Sequence, residues 1–149
     1  MRACVTSGLR VFVVAWTAGI LSFAAAGCGG SSKKPGPTAS VVPVTEGDFH
    51  ISAPKVLNTG DYTFRVDNQG PTVHEFLIVP SETGSLPLRP DGLTVDEEAV
   101  ERSEPGSLEP GAPRAVRDLT VQLKPGRYIL FCNMEGHYMA GMHTELVVR

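Results

Sequence analysis

Cys132, His137 and Met142 follow one another at intervals of five residues in Cys132-Asn133-Met134-Glu135-Gly136-His137-Tyr138-Met139-Ala140-Gly141-Met142-His143. A thiolate, an imidazole and a thioether spaced in this way can fold around one point if the segment is a loop. A second imidazole, His74, stands in a separate apolar run from Val73 to Val79. Thiolate plus two imidazoles with a weak thioether suits copper that changes oxidation state: sulfur satisfies Cu(I), and imidazole remains acceptable to Cu(II). Zinc could use the cysteine and both histidines but gains nothing from a methionine. A Cys–His nucleophilic pair also fits the residue types, although no orienting acid stands out. Singly, each residue has a plainer reading: Cys132 as a small core side chain, His137 as surface, His74 as a satisfied interior histidine. The combination points to a metal.

The elements that must position these donors read as strands. Tyr62, Phe64 and Val66 alternate with Thr63, Arg65 and Asp67, and Leu119, Val121 and Leu123 alternate again. Asn68-Gln69-Gly70-Pro71 is a turn, and Lys124-Pro125-Gly126-Arg127 leads into Tyr128 to Cys132. Phe49 to Ser52 is a short extended piece, and Thr144 to Val148 is a closing strand. His74 thus lies near the start of an inner strand and Cys132 at the end of another. Between Pro80 and Arg117 the chain is rich in glycine, proline and acid; Asp96 to Arg102 could form two helical turns, with Thr94 a candidate cap. With 16 glycines and 12 prolines in 149 residues, many short strands are favoured over long helices. The expected fold is all-β: a two-sheet Greek-key sandwich of six to eight antiparallel strands, with an inserted loop and short-helix excursion lying against one sheet edge.

The N-terminal segment reads as an address. Arg2 and Arg10 precede an uncharged run of 16 residues, Val11 to Ala26, shorter than the roughly 20 a spanning helix needs. It ends Ala25-Ala26-Gly27-Cys28, which resembles a bacterial lipoprotein cleavage box with Cys28 as the lipidation site. The expected organisation is a signal peptide over 1–27, a lipidated cysteine and flexible linker over 28–46, and a folded domain over 47–149. An ordinary cleaved secretion signal or an uncleaved anchor would equally place the domain outside the cytoplasm. Removing residues 1–27 takes away Arg2, Arg10 and Cys4, leaving 11 basic against 16 acidic residues, net −5. That charge argues against nucleic acid as a partner. With Cys28 acylated, Cys132 would be a lone thiol in an oxidising compartment and needs a function there.

The Cys–His–Met stretch, together with Val73-His74-Glu75-Phe76 and Lys124-Pro125-Gly126-Arg127-Tyr128, resembles the copper-binding segments of the cupredoxins. Among these blue copper proteins it is most similar to plastocyanin/azurin-like and sulfocyanin-like bacterial domains. The resemblance runs from about Gly47 to Val148, apart from the Pro80–Arg117 region. It implies one copper ion held by His74, Cys132, His137 and Met142, with Met142 axial, and an electron-transfer protein rather than an enzyme. It also implies a monomer on the outer face of the cell membrane that exchanges electrons with a redox partner such as a membrane respiratory complex. The alternative is a copper-handling protein that stores or delivers the metal to an oxidase, with Met134, Met139 and His143 as a transient outer site. The chain departs from the family pattern at Glu75, where asparagine is common, and at Glu135, where proline is common. Hydrogen bonds to the thiolate are therefore expected from Asn133 or from backbone amides. Phe76, Tyr138 and Met139 are expected to exclude water, and His137 to present the exposed edge. Glu75 is expected to face away from the site, with carboxylate ligation the lesser possibility, and His143 to face solvent. The run Asp96–Glu104 is either a solvated face or a surface that steers a basic partner.

Overall fold

The computed structural model describes residues 39–149. The expected signal peptide and Cys28 lie outside the described residues. Among the described residues, no helix is long and apolar enough to cross a membrane.

Two sheets face each other. β1 (Ser40–Gly47), β2 (His50–Ser52), β4 (Gly60–Asn68) and β7 (Val116–Leu123) form the first, in the order β2-β1-β4-β7. β3 (Val56–Leu57), β5 (His74–Pro80), β6 (Gly106–Gly111), β8 (Gly126–Phe131) and β9 (His143–Val148) form the second, in the order β3-β9-β8-β5-β6. The chain passes repeatedly from one sheet to the other, giving a sandwich with Greek-key-like strand order. Period-two alternation sends Phe64 and Val66, Val121 and Leu123, Phe76 and Ile78, and Tyr128 and Leu130 inward, where they are buried between the sheets. Cys132 and Met142 belong to this same inner core.

Three features differ from the sequence expectation. The sheets are mixed, since β1 runs parallel to β4 and β3 parallel to β9. The folded unit reaches back to Ser40, inside the stretch assigned to the linker, because Val42 and Val44 are buried on the inner face. Pro43 is tolerated there because β2 pairs only with Thr45 to Gly47, so the outer side of β1 at Pro43 has no ladder to break.

The third difference concerns the excursion after β5. It contributes β6, which pairs with β5, and it covers the outer face of the five-stranded sheet. Leu86, Val95 and Val100 pack there against Leu77, Val79, Ile129, Phe131 and Tyr138. The helical part is one α-turn, α1 (Glu97–Val100), followed by a 3-10 turn over Glu101–Ser103. Asp96, not Thr94, immediately precedes it. β5 and β8 are therefore buried on both faces, which explains their nearly continuous apolar sequences.

Candidate metal centre

His74 begins β5, and Cys132 directly follows β8. The segment after Cys132 is wound by backbone hydrogen bonds from His137 N to Met134 O (2.8 Å), Ala140 N to Gly136 O (2.9 Å) and Met142 N to His137 O (2.9 Å). Cys132 N then donates to Met142 O at 3.1 Å, closing the loop on itself. Gly136 (φ 77°) and Gly141 (φ 100°) supply left-handed backbone that the turns require. Spacing that is remote in sequence thus becomes local in space.

Three donor atoms meet at this end of the sandwich. Cys132 Sγ lies 3.4 Å from His137 Nδ1 and 3.9 Å from His74 Nδ1, and the two Nδ1 atoms are 3.3 Å apart. Donors in a plane around one ion at bond lengths of about 2.0–2.3 Å would stand about 3.5–3.7 Å apart, close to this triangle. Cys132 and His74 are fully buried and His137 is half-buried. Two imidazole nitrogens and a thiol facing one another can share protons only in pairs, whereas a cation would take a lone pair from all three at once. The group is a His/Cys/His cluster able to hold a metal.

Burial favours the uncharged forms of Cys132 and His74. Burial pushes the Cys132 thiol up to about 11, against the lowering effect of backbone amides including those of Met134 and Glu75. Burial, then the neighbouring His137, holds the His74 imidazole below its usual range, with Asp48 opposing. Metal binding would displace the thiol proton. Glu75 N donates to Cys132 Sγ at 3.4 Å, so a backbone amide contacts the sulfur as the sequence suggested.

Asn133 has another task. Its side chain accepts from Val95 N (2.6 Å) and donates to Val95 O (3.2 Å) and Glu97 Oε1 (2.6 Å), tying the excursion to the loop. Gly136 N to Leu93 O at 3.0 Å and Leu86 N to Tyr138 Oη at 3.2 Å add to this join.

The remaining expected residues separate. Met142 is fully buried beside Cys132 in the inner core, and Met134 is partly buried against it. Met139 is 56% exposed and so does not exclude water by filling the loop. Tyr138 packs on Phe131 in the outer cluster, turned toward the excursion rather than shielding the donors. Phe76 is in the inner core as expected. His143 is exposed and lies over the Tyr138 ring.

Glu75 lines an open cleft of about 460 Å³ with Glu97, Glu98, Glu104, Glu109 and Arg89. None of the three donors lines that cleft, so it gives a Cys–His nucleophile no substrate site. Two contacts had no signal in the sequence: Phe49 packs edge-on against His137 at 5.4 Å between ring centroids, and Asp48 meets His74.

Solved structures with the same architecture include auracyanins, an azurin and rusticyanin. An auracyanin from the photosynthetic bacterium Roseiflexus castenholzii, reduced with dithionite, superposes with a TM-score of 0.54 at 18% identity, covering 76% of this chain and 99% of that one. Auracyanin A, a "blue" copper protein of Chloroflexus aurantiacus, gives a TM-score of 0.55 at 16% identity over 75% of this chain and all of that one. The fold is that of the cupredoxins. Rusticyanin from Thiobacillus ferrooxidans has the same cupredoxin fold, with a TM-score of 0.52, 15% identity, and 75% and 79% coverage. No protein-family model matches the chain, and no curated protein does.

Proposed function

We propose that this protein is a mononuclear copper electron carrier, held on the outer face of the cell membrane through an acylated Cys28. His74, Cys132 and His137, with Met142 as a weak fourth donor, would hold copper, which would supply a one-electron Cu(II)/Cu(I) couple. The observation that carries this reading is the convergence of one thiol and two imidazoles, from β5 and from the segment after β8, within 4.8 Å of one another. Auracyanin A, which shares the fold, is a "blue" copper protein.

The chain's own residues suit electron transfer without turnover. The closed loop and two-sided burial of β5 and β8 hold the donors nearly fixed, so neither oxidation state demands rearrangement. His74 is sealed inside, while His137 reaches toward solvent and gives the electron a short exit to a redox partner, such as a membrane respiratory complex. Met142, Met134 and Met139 occupy buried, half-buried and exposed settings, which favours a single closed site over an outer thioether cluster for metal delivery.

The test is titration with Cu(II) followed by absorption and EPR spectroscopy. The wild-type protein is expected to take up one equivalent and to show an intense thiolate-to-copper band. Cys132→Ser is expected to abolish the band, and His74→Ala to weaken Cu(II) retention sharply. A visible spectrum unchanged in Cys132→Ser would remove the thiolate from the site. For the anchor, Cys28→Ala is expected to release the protein from membranes or leave its precursor unprocessed. Unchanged fractionation and mass would reject lipidation.

A further inference from the structure

We propose that Asp48 is a positioning residue for His74, fixing which imidazole nitrogen faces the metal and adding a negative charge behind it. This inference rests on the copper reading. His74 is fully buried with Nδ1 turned to Cys132 and His137, while its other nitrogen, Nε2, lies 3.2 Å from Asp48 Oδ1. Thr72 Oγ1 donates to the same carboxylate oxygen at 2.8 Å and lies 3.4 Å from His74 Nε2. A carboxylate accepts only, so the imidazole proton belongs on Nε2 and the Nδ1 lone pair is left free for a cation.

The surrounding backbone is shaped for this contact. Gly70 is buried, and a Cβ there would stand 2.9 Å from both Asp48 Oδ1 and His74 Nε2, so only glycine leaves the pair room to close. Buried Asn68 clamps the turn on either side, accepting from Gly70 N at 3.0 Å and donating to Thr72 O at 2.9 Å. Asp48 itself is delivered by the β1–β2 turn, where Phe49 takes a left-handed φ of 59°, costly for a residue with a side chain. A hydrogen-bonded carboxylate makes imidazole a stronger donor, and its charge favours the higher oxidation state of a metal on the far nitrogen. Asp48 therefore lowers the reduction potential.

Histidine-labelled nitrogen NMR of the metal-free protein is the first measurement. The wild type is expected to hold His74 as the Nε2–H tautomer with a slowly exchanging proton; Asp48→Ala and Gly70→Ala are expected to lose that protection. In the copper-loaded protein, voltammetry of Asp48→Ala is expected to show Cu(II) disfavoured roughly 10- to 100-fold relative to Cu(I). At about 59 mV per tenfold for one electron, that is a rise of about 60–120 mV. Asp48→Asn, which keeps an acceptor oxygen without the charge, should fold even if the alanine variants do not and should give a smaller rise in the same direction. Retention of the protected Nε2–H in Asp48→Ala, or an unchanged potential in both Asp48 variants, would overturn the assignment. A wild-type protein with no copper band would instead overturn the copper reading, and the tautomer in the metal-free protein would still decide the role of Asp48.

Discussion

At the scale of single residues, Met142 separates from the other methionines by burial as well as by position. It is sealed in the core beside Cys132, its own backbone amide and carbonyl bonded to His137 and Cys132. A thioether so placed would be a weak axial donor whose loss penalises Cu(II) more than Cu(I). Met142→Leu is expected to leave copper bound and coloured and to raise the potential, by about 60 mV for each tenfold of Cu(II) stabilisation removed. Met134→Leu and Met139→Leu are expected to shift it less, and voltammetry of the three variants in one buffer checks the order. The His74, Cys132 and His137 cluster was legible in the sequence because its residue types are rare together and two of them lie five residues apart. Asp48 was not, because an aspartate beside a glycine is ordinary turn chemistry and its partner lies 26 residues away. Tyr138 and Met139 were misplaced because two glycine turns redirect the loop, and side-chain direction in a loop has no period to read.

At the scale of elements, the hydrophobic pattern located the central strands: alternation marked β4 and β7, nearly continuous apolar runs overlap β5 and β8, and the closing run lies within β9. It failed for β1, where a proline and a preceding flexible composition masked a strand with only two fully committed apolar residues, Val42 and Val44. It also failed for β6, whose Gly-Ser-Leu-Glu-Pro-Gly has no strand signature and is held by pairing with β5. The end of β1 carries a further feature: fully buried Glu46, bonded at 2.8 Å to Arg117 of β7, which also donates to the Glu109 carbonyl of β6. Burial outweighs Arg117 and raises the Glu46 carboxyl from an ordinary 4.5 to about 7. The folded state then keeps a proton that the unfolded chain releases above about 4.5. The associated stability is full below 4.5 and is lost as pH rises through 7. The loss is on the order of 3 kcal/mol. Urea denaturation at pH 5 and pH 8 is expected to show this decline in the wild type, and Glu46→Gln is expected to flatten it. An equal decline in both proteins would place the titrating group elsewhere.

At the scale of the whole molecule, the described residues include an acidic cleft and, apart from it, exposed apolar groups around His137. The acidic cleft of Glu75, Glu97, Glu98, Glu104 and Glu109 lies beside β5, β6 and the excursion. His137 is instead accompanied by apolar groups: Phe49, 52% exposed, packs on its ring, and Met139, 56% exposed, follows it by two residues. If electrons leave through His137, two copies of the protein can exchange an electron by bringing these apolar surfaces together, and a charge placed there must be desolvated at each encounter. Met139→Lys makes the distinction clear. It reduces the net negative charge, so long-range repulsion between copies falls and a rate governed by overall charge would rise. A rate governed by the His137 surface would fall, by about tenfold or more at low ionic strength, and recover in part as salt screens the facing ammonium groups. The expected result is the fall, read from NMR line broadening in mixtures of Cu(I) and Cu(II) protein; exchange between identical copies has no driving force, so a solvent-screened rise in potential from the exposed ammonium does not enter the rate. An increase in the exchange rate would mean that the electron leaves by another face, and that the half-exposure of His137 does not mark its path.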